Sequence, residues 1–522
     1  MFNTVSPYIT KDEPFGPIDS GDIDSGDLKA LLMLFEKHNW IYKNLHSRPS
    51  IIIGRRGSGK TYYLRSVFFD QQYDYYVEIR TPHVLGQVAR SIQKLSTEVV
   101  FPELVSELWE TILWISVFLE ICKQDVLRPD TMNVVVGYLD KMRVRQNDTI
   151  EDALRNIAKM LEELLNKSGA SDGEPLWNAD RISLEDAKNG VLKDLKDSKK
   201  RFAILMDSLD DFKLDIESVS SSLQGLLKIV GSMNKPRDVV DIRFCLPSEL
   251  YNQFIKLSSN PNKDFRRALK LQWSATELIL IGAQRLMFHL ALHYPDVLKK
   301  MQPLDLTKRA DALTLFSAVL PERINNQFGY QEETISYILR HTQLLPRHLL
   351  ILLNSIFKSS NFTGSLNSFP VSQERIVSGV RQMEDFMVRE IFVAFKLIYP
   401  TAEETCRRCL PELGHKFTMG DLHRVFTRHG KAVFGSDNLF DFQRMLLEIG
   451  AIGRVIPGNE RDVYIKGNFE YAVSHQLSLS QDDELCVHPL FSGIFNGSGK
   501  HERPVYPYGS ALEDEDYRDG NE

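Results

Sequence analysis

Cysteine is scarce: five in 522 residues, an odd and thinly spread number that builds no disulfide framework and suits a reducing compartment. Long apolar runs are missing as well. A membrane-spanning helix needs about 20 apolar residues. The best stretch, Leu108 to Cys122, is broken by Glu110 and Glu120, so it is expected as a buried helix, with no membrane partner. Gly and Pro sit at ordinary levels, 30 and 22, which excludes collagen-like and low-complexity architectures. Basic charge is not in excess: 63 Lys and Arg stand against 70 Asp and Glu, a net of −7. That argues against a uniformly cationic coat and leaves only a local patch to look for. The N-terminus, Met1-Phe2-Asn3-Thr4 with acidic residues soon after, resembles neither a secretory nor a transit signal. The expected location is cytoplasmic.

What is present is the composition of a globular protein, 43% hydrophobic and 25% charged, on a chain long enough for two or three domains. Residues 1–27 read as a flexible lead-in, since residues 10–27 are rich in Asp, Gly and Pro. Apolar residues then recur at helical spacing from Leu28 to Leu45. Pro49-Ser50-Ile51-Ile52-Ile53 reads as a buried parallel strand. Further strands are expected at Asp74–Ile79, Arg201–Met206, Val239–Leu246 and Ala268–Trp273. Helical periodicity dominates 81–198, apart from a loop at Ser168 to Pro175. Strands separated by helices imply a parallel α/β sheet with helices on both faces. That domain is expected over 28–275, with a helical insertion at 81–198. An all-helical segment follows over 276–400. Over 401–496, helical stretches at Met419–Arg428 and Leu439–Ile449 precede a hairpin at Ala451–Ile456 and Arg461–Ile465, the order of a winged-helix domain. Residues 497–522 read as a disordered acidic tail.

Gly54-Arg55-Arg56-Gly57-Ser58-Gly59-Lys60-Thr61 fits the phosphate-cradling loop at every defining position, between an apolar strand and a helical pattern. Glycines let the backbone wrap closely around anionic oxygens, and successive N–H groups point positive dipole at them. Lys60 is placed to reach the β- and γ-phosphates of ATP, Thr61 to ligate Mg²⁺, and Tyr62 to follow at the nucleotide. At the end of a neighbouring buried strand, Asp207 stands where the Mg²⁺-associated carboxylate belongs. Asp210 and Asp211 are the candidates to polarise an attacking water, or else caps of the next helix. Ser248, at the end of the following strand, is a candidate γ-phosphate sensor or a cap. Arg266 and Arg267 are candidates to reach a neighbouring subunit's nucleotide, or a solvated basic pair.

These motifs resemble the STAND and origin-recognition-like branches of the AAA+ and related P-loop ATPases. Besides the phosphate loop, Ala203 to Asp211 resembles an hhhhDGhDE motif, with Ser208 in place of the usual Gly and Asp211 where Glu is common. Leu271-Gln272-Trp273-Ser274-Ala275-Thr276-Glu277-Leu278, leading to Arg285, looks like the start of a helical lid. Leu345-Pro346-Arg347-His348-Leu349-Leu350 looks like a lid helix. The resemblance implies that Arg347 contacts the phosphates and that a C-terminal winged helix is usual; a homo-oligomer is the setting in which Arg266 or Arg267 would act, as in ring-forming ATPases. The resemblance extends by analogy to genome defence beside a nearby-encoded effector protein.

In the winged-helix segment, Arg424, Arg428, His429, Lys431, Arg444, Arg454, Arg461 and Lys466 form a candidate patch for double-stranded DNA. Asp421, Asp437, Asp441, Glu448, Glu460 and Asp462 dilute it. Cys406 and Cys409 with His415 lack the second ligand pair of a zinc site and read as ordinary helical residues. Two functions therefore stand: a regulatory ATPase that couples Mg-ATP turnover to conformation or assembly, or a nucleotide-dependent interaction module with little turnover.

Overall fold

A computed structural model describes residues 2–24, 27–34, 49–65, 73–80, 84, 86, 88–89, 102–167, 178–207, 217–233, 239–258, 260–261, 265, 268–326, 329–358, 369–458, 464–472, 477–495 and 503–507. By contacts the chain divides into two compact units. The sheet unit holds Asn44–Gly54 and Lys60–Leu271, and the helical unit holds Met1–Lys43, Arg55–Gly59 and Gln272–Glu522.

The sheet unit is built on β1 (Ile51–Gly54), β2 (Tyr75–Arg80), β3 (Phe202–Asp207), β4 (Val240–Pro247) and β5 (Ala268–Lys270). They run parallel in the order β2-β3-β4-β1-β5. β1 and β4 are wholly buried and β3 is buried up to Asp207, which is why apolar residues dominate these runs. β4 also carries Asp241 and Arg243 inside. Asp241 accepts hydrogen bonds from the Tyr73 hydroxyl (2.6 Å) and the Arg201 guanidinium (2.9 Å), and Arg243 lies 5.2 Å from the Tyr73 ring centre.

The strand order reverses at β1. The chain leaves it for β2 at the far edge, returns through β3 and β4, and passes β1 to reach β5. Right-handed crossovers then put the helix Lys60–Arg65 on one face. The helices Pro102–Ile121, Glu217–Met233 and Tyr251–Leu257 fall on the other. The packing agrees: Lys60–Arg65 lies across β1, β4 and β3, while Pro102–Ile121 packs on Glu217–Met233. The 81–198 insertion contributes the helices Pro102–Ile121, Pro129–Lys141, Ile150–Lys167 and Asn178–Asp197. Trp109 there is a core residue, its indole donating to the Ser222 carbonyl at 2.8 Å.

The main apolar core of the helical unit runs from Phe15 through Leu286 and Leu353 to Phe495, with a smaller cluster of Ile465, Phe469, Cys486 and Val505. Its helix Ala275–His293 is long and apolar enough to cross a membrane by composition, yet most of it is buried in this core. Ser274 starts it with a capping box, its hydroxyl accepting from the Glu277 N–H while the Glu277 carboxylate accepts from the Ser274 N–H.

Four expectations are corrected. The lead-in is packed rather than loose over its described part: Val5, Ile9, Phe15 and Ile23 are buried. The Phe15 carbonyl also accepts from buried Arg285 at 2.8 Å. Apolar anchors thus override a turn-rich composition. The stretch expected as wholly helical contains a hairpin, β6 (Arg323–Asn325) with β7 (Gln331–Glu333). It is held by the buried pair of Glu332 and Arg340. The C-terminal segment carries β8 (Lys416–Thr418), β9 (Ile452–Val455), β10 (Ile465–Asn468), β11 (Glu484–Val487) and β12 (Val505–Tyr506), in the order β12-β10-β9-β11-β8. The returning hairpin strand begins at Ile465, where the sequence suggested its end, because Ile465 and Gly467 are the inward positions. Residues 459–463 lie outside the described residues. Lastly, part of the expected tail is ordered, since Val505 and Tyr506 are buried against β10.

Candidate nucleotide-binding site

β1 and β4 are neighbours whose onward paths diverge, so their carboxyl ends form the switch point where open α/β sheets bind ligands. Gly54 lies beside Pro247 there. The phosphate loop leaves β1 at this point and ends where Lys60 opens a helix. A turn closes its first half, the Ser58 N–H donating to the Arg55 carbonyl at 3.0 Å.

Gly57 (φ +84°) and Gly59 (φ +87°) both take left-handed backbone conformations, which cost a side chain about 1–2 kcal/mol. Their surroundings differ. A β-carbon on Gly59 would meet nothing within 4 Å, whereas one on Gly57 would come within 2.9 Å of the Arg347 β-carbon. Gly59 is therefore required by conformation alone, and Gly57 by conformation and close approach together. Lys60 is 7% exposed, and a lysine so far from water calls for negative charge nearby.

The loop residues 55–59 belong by contacts to the helical unit, which grips them at three places. The Arg347 N–H donates to the Gly57 carbonyl at 3.3 Å. The Trp273 indole donates to the Ser58 carbonyl at 2.9 Å. The Arg55 guanidinium lies 5.5 Å from the Phe395 ring centre and 5.4 Å from that of Tyr471. Burial, then the charges of Arg55 and Arg347, push the His348 imidazole down to about 3, so it is neutral here. Nothing in the sequence pairs Trp273 with the Ser58 carbonyl or Arg55 with Phe395 and Tyr471. The Trp-Ser-x-x-Glu-Leu pattern marked Trp273 only as a neighbour of the helix start.

Arg347 does stand beside the loop, but carboxylates hold its guanidinium: Asp19 through one terminal nitrogen, and Glu390 at 3.6 Å from the other. Two polar atoms flanking Gly57 have no hydrogen-bond partner among the described residues, the Ser58 hydroxyl oxygen and the Arg347 Nε. Unspent donors next to a glycine cradle fit an anion with several acceptor oxygens.

Asp207 closes β3 and is only partly buried. Its strand is not adjacent to β1, because β4 lies between them. Thr61, partly buried, follows Lys60 in a helix that packs across β3. Tyr62 is buried, its ring edge-on to that of Tyr63 with centres 5.2 Å apart. Ser248 begins a short 3-10 turn after β4, and its hydroxyl donates to Glu249 at 3.4 Å. It is not the cap of that turn, which is Pro247. Asp210, Asp211, Arg266 and Arg267 lie outside the described residues.

The C-terminal cations are largely spent. Arg424 pairs with Asp421, Arg428 and His429 with Glu412, Lys431 with Asp437, and Arg444 with both Glu448 and Glu470. Arg454 donates to the Ser478 carbonyl, and Arg461 lies outside the described residues. Cys406 and Cys409 are buried, and burial raises both thiols, that of Cys409 to about 11. Among the described residues no group of His, Cys, Asp and Glu is arranged to hold a metal.

The strand order and this loop are those of a parallel α/β fold of the P-loop type. No protein-family model matches the sequence, and no curated protein matches it. Among solved structures, the Aeropyrum pernix ORC2 protein, determined as ADPNP–ADP complexes, aligns over 84% of this chain and 90% of its own, at 10% identity and a TM-score of 0.36.

Proposed function

We propose that this chain binds ATP on Gly54 to Thr61 and hydrolyses it slowly, using the nucleotide as a conformational switch. One observation carries the reading. The loop leaves β1 at the topological switch point with two left-handed glycines, one of them backed by an arginine. Loop N–H groups would hold the phosphates, with Lys60 neutralising charge on the β- and γ-oxygens. Thr61 and Asp207 would hold Mg²⁺, which when bound offsets the negative charge developing on the phosphates. Asp210 or Asp211 would orient the attacking water and accept its proton.

The three grips on residues 55–59 favour a switch over a metabolic kinase, since a shift of the loop backbone is felt directly in the helical unit. The C-terminal module has the helix-and-hairpin order of a winged helix. Most of its described cations stand beside carboxylates and Phe440 stands 68% exposed, which favours a protein partner over duplex DNA. Genome defence and homo-oligomer formation rest on the family resemblance alone.

Phosphate release with Mg-ATP tests the proposal. Lys60→Ala and Asp207→Asn are expected to abolish it, and Asp210→Asn and Asp211→Asn show which carboxylate serves the water. Tight ATP binding without turnover would leave the interaction-module reading. Turnover unchanged in Lys60→Ala would overturn the proposal.

A further inference from the structure

The lead-in reaches Arg347, the arginine that stands beside the phosphate loop. Phe15 anchors it: its ring is buried, its N–H donates to the Asn354 side chain at 2.7 Å, and its carbonyl accepts from Arg285 at 2.8 Å. Asn354 also donates to the Gly16 carbonyl at 2.9 Å. The segment is thus seated on the helix Pro346–Phe357, whose second residue is Arg347. Four residues after Phe15 comes Asp19. One oxygen of its carboxylate accepts from the Gly21 N–H at 3.1 Å, capping a short turn, and the other accepts from Arg347. Glu390, on the helix Gln373–Phe395, completes the clamp at 3.6 Å.

One guanidinium therefore faces two carboxylates, while its own backbone and β-carbon abut Gly57. A carboxylate on an arginine offers the same paired acceptor oxygens as a phosphate.

We infer that Asp19 is a built-in competitor for the terminal phosphate: it parks Arg347 when ADP or no nucleotide is bound, and ATP draws the arginine off it. The lead-in is then a latch that reads the γ-phosphate. This rests on the proposed ATP binding at Gly54 to Thr61. The Asp19 side chain is 44% exposed, so the competition is mild, about two- to fivefold in affinity.

Asp19→Asn tests it cleanly, because Asn keeps the capping oxygen for Gly21 and discards the charge. Affinities of the full chain for Mg-ATP and Mg-ADP are measured by calorimetry on the wild type, Asp19→Asn, Glu390→Gln, Asp19→Glu and Lys60→Ala. Asp19→Asn is expected to tighten ATP about two- to fivefold and leave ADP unchanged, with Glu390→Gln in the same direction and Asp19→Glu near wild type. Adding Arg347→Ala to Asp19→Asn is expected to erase the difference. A purely structural role would move both nucleotides together or neither, and either result with Lys60-dependent binding intact overturns the latch alone. Absence of Lys60-dependent binding overturns the latch and the ATP reading beneath it.

Discussion

The backbone N–H of Arg347 donates to the carbonyl of Gly57 at 3.3 Å, and a β-carbon on Gly57 would lie 2.9 Å from that of Arg347. The loop Arg55–Gly59 and the helix Pro346–Phe357 are therefore fitted to one another at backbone level.

The two loop glycines should separate by stability. Gly59→Ala carries only the left-handed strain of about 1–2 kcal/mol. Gly57→Ala adds a collision, and is expected to lower the melting temperature further. Arg347→Ala should not rescue it, because the nearest atom is the β-carbon that alanine keeps. Thermal unfolding of the three single variants and the double variant checks this, and equal losses for the two glycines would contradict it.

Arg55 lies between two aromatic rings inside the helical unit, where a cation over a ring is worth about 0.5–2 kcal/mol. Arg55→Ala and Tyr471→Leu should each lower the denaturant midpoint. The double variant should lose less than the sum, because the two share one interaction. Strict additivity would show that the stacking contributes nothing.

Trp273 donates to the Ser58 carbonyl at 2.9 Å. Trp273→Phe is expected to cost about 0.5–1.5 kcal/mol. It should also remove the change in tryptophan fluorescence expected on adding ATP. A response that survives the substitution would place the reporter elsewhere.

Glu384 sets a pH dependence in the helical unit. Burial pushes its carboxyl up to about 8, against the lowering influence of Arg340 and Arg381. His341, 3.5 Å away, is pushed well below its ordinary range by burial and then by Arg340. Near pH 7 the contact is one between neutral groups, not an ion pair. The folded state holds the Glu384 proton that the unfolded chain releases near its ordinary pKa. Its contribution to stability is therefore full at low pH and lost as pH rises toward about 8. Glu384→Gln mimics the protonated form, so its stability relative to wild type should increase between pH 5 and pH 8. Urea midpoints at the two pH values check the sign, and a constant difference would contradict it.

The sequence carried the sheet unit well and the helical unit less well. β1 and β3 are buried on both faces, so they read as short apolar runs ending in Gly or Asp; β4, equally buried, is interrupted by Asp241 and Arg243 and ends at Pro247. β6 and β7 have only one buried residue each, Ile324 and Glu332, too few for an alternation to stand out. The lead-in combines turn residues with isolated anchors, and nothing local reveals that Phe15 finds Asn354 and Arg285. For the candidate site, Gly54 to Thr61 and Asp207 stand out in the sequence because spacing within one segment defines each of them. The partners of Arg55 and Arg347 do not. They come from positions far apart in the chain, brought together by packing that no periodicity encodes. For the C-terminal cations, a count of basic residues cannot reveal which of them stand beside carboxylates.

The most direct test of nucleotide binding at this loop is calorimetric titration of Mg-ATP into the full chain and its Lys60→Ala variant. Losing a charge-assisted contact worth about 1.5–3 kcal/mol should weaken binding roughly 10- to 100-fold. Equal affinities, or no binding by the wild type, would contradict it.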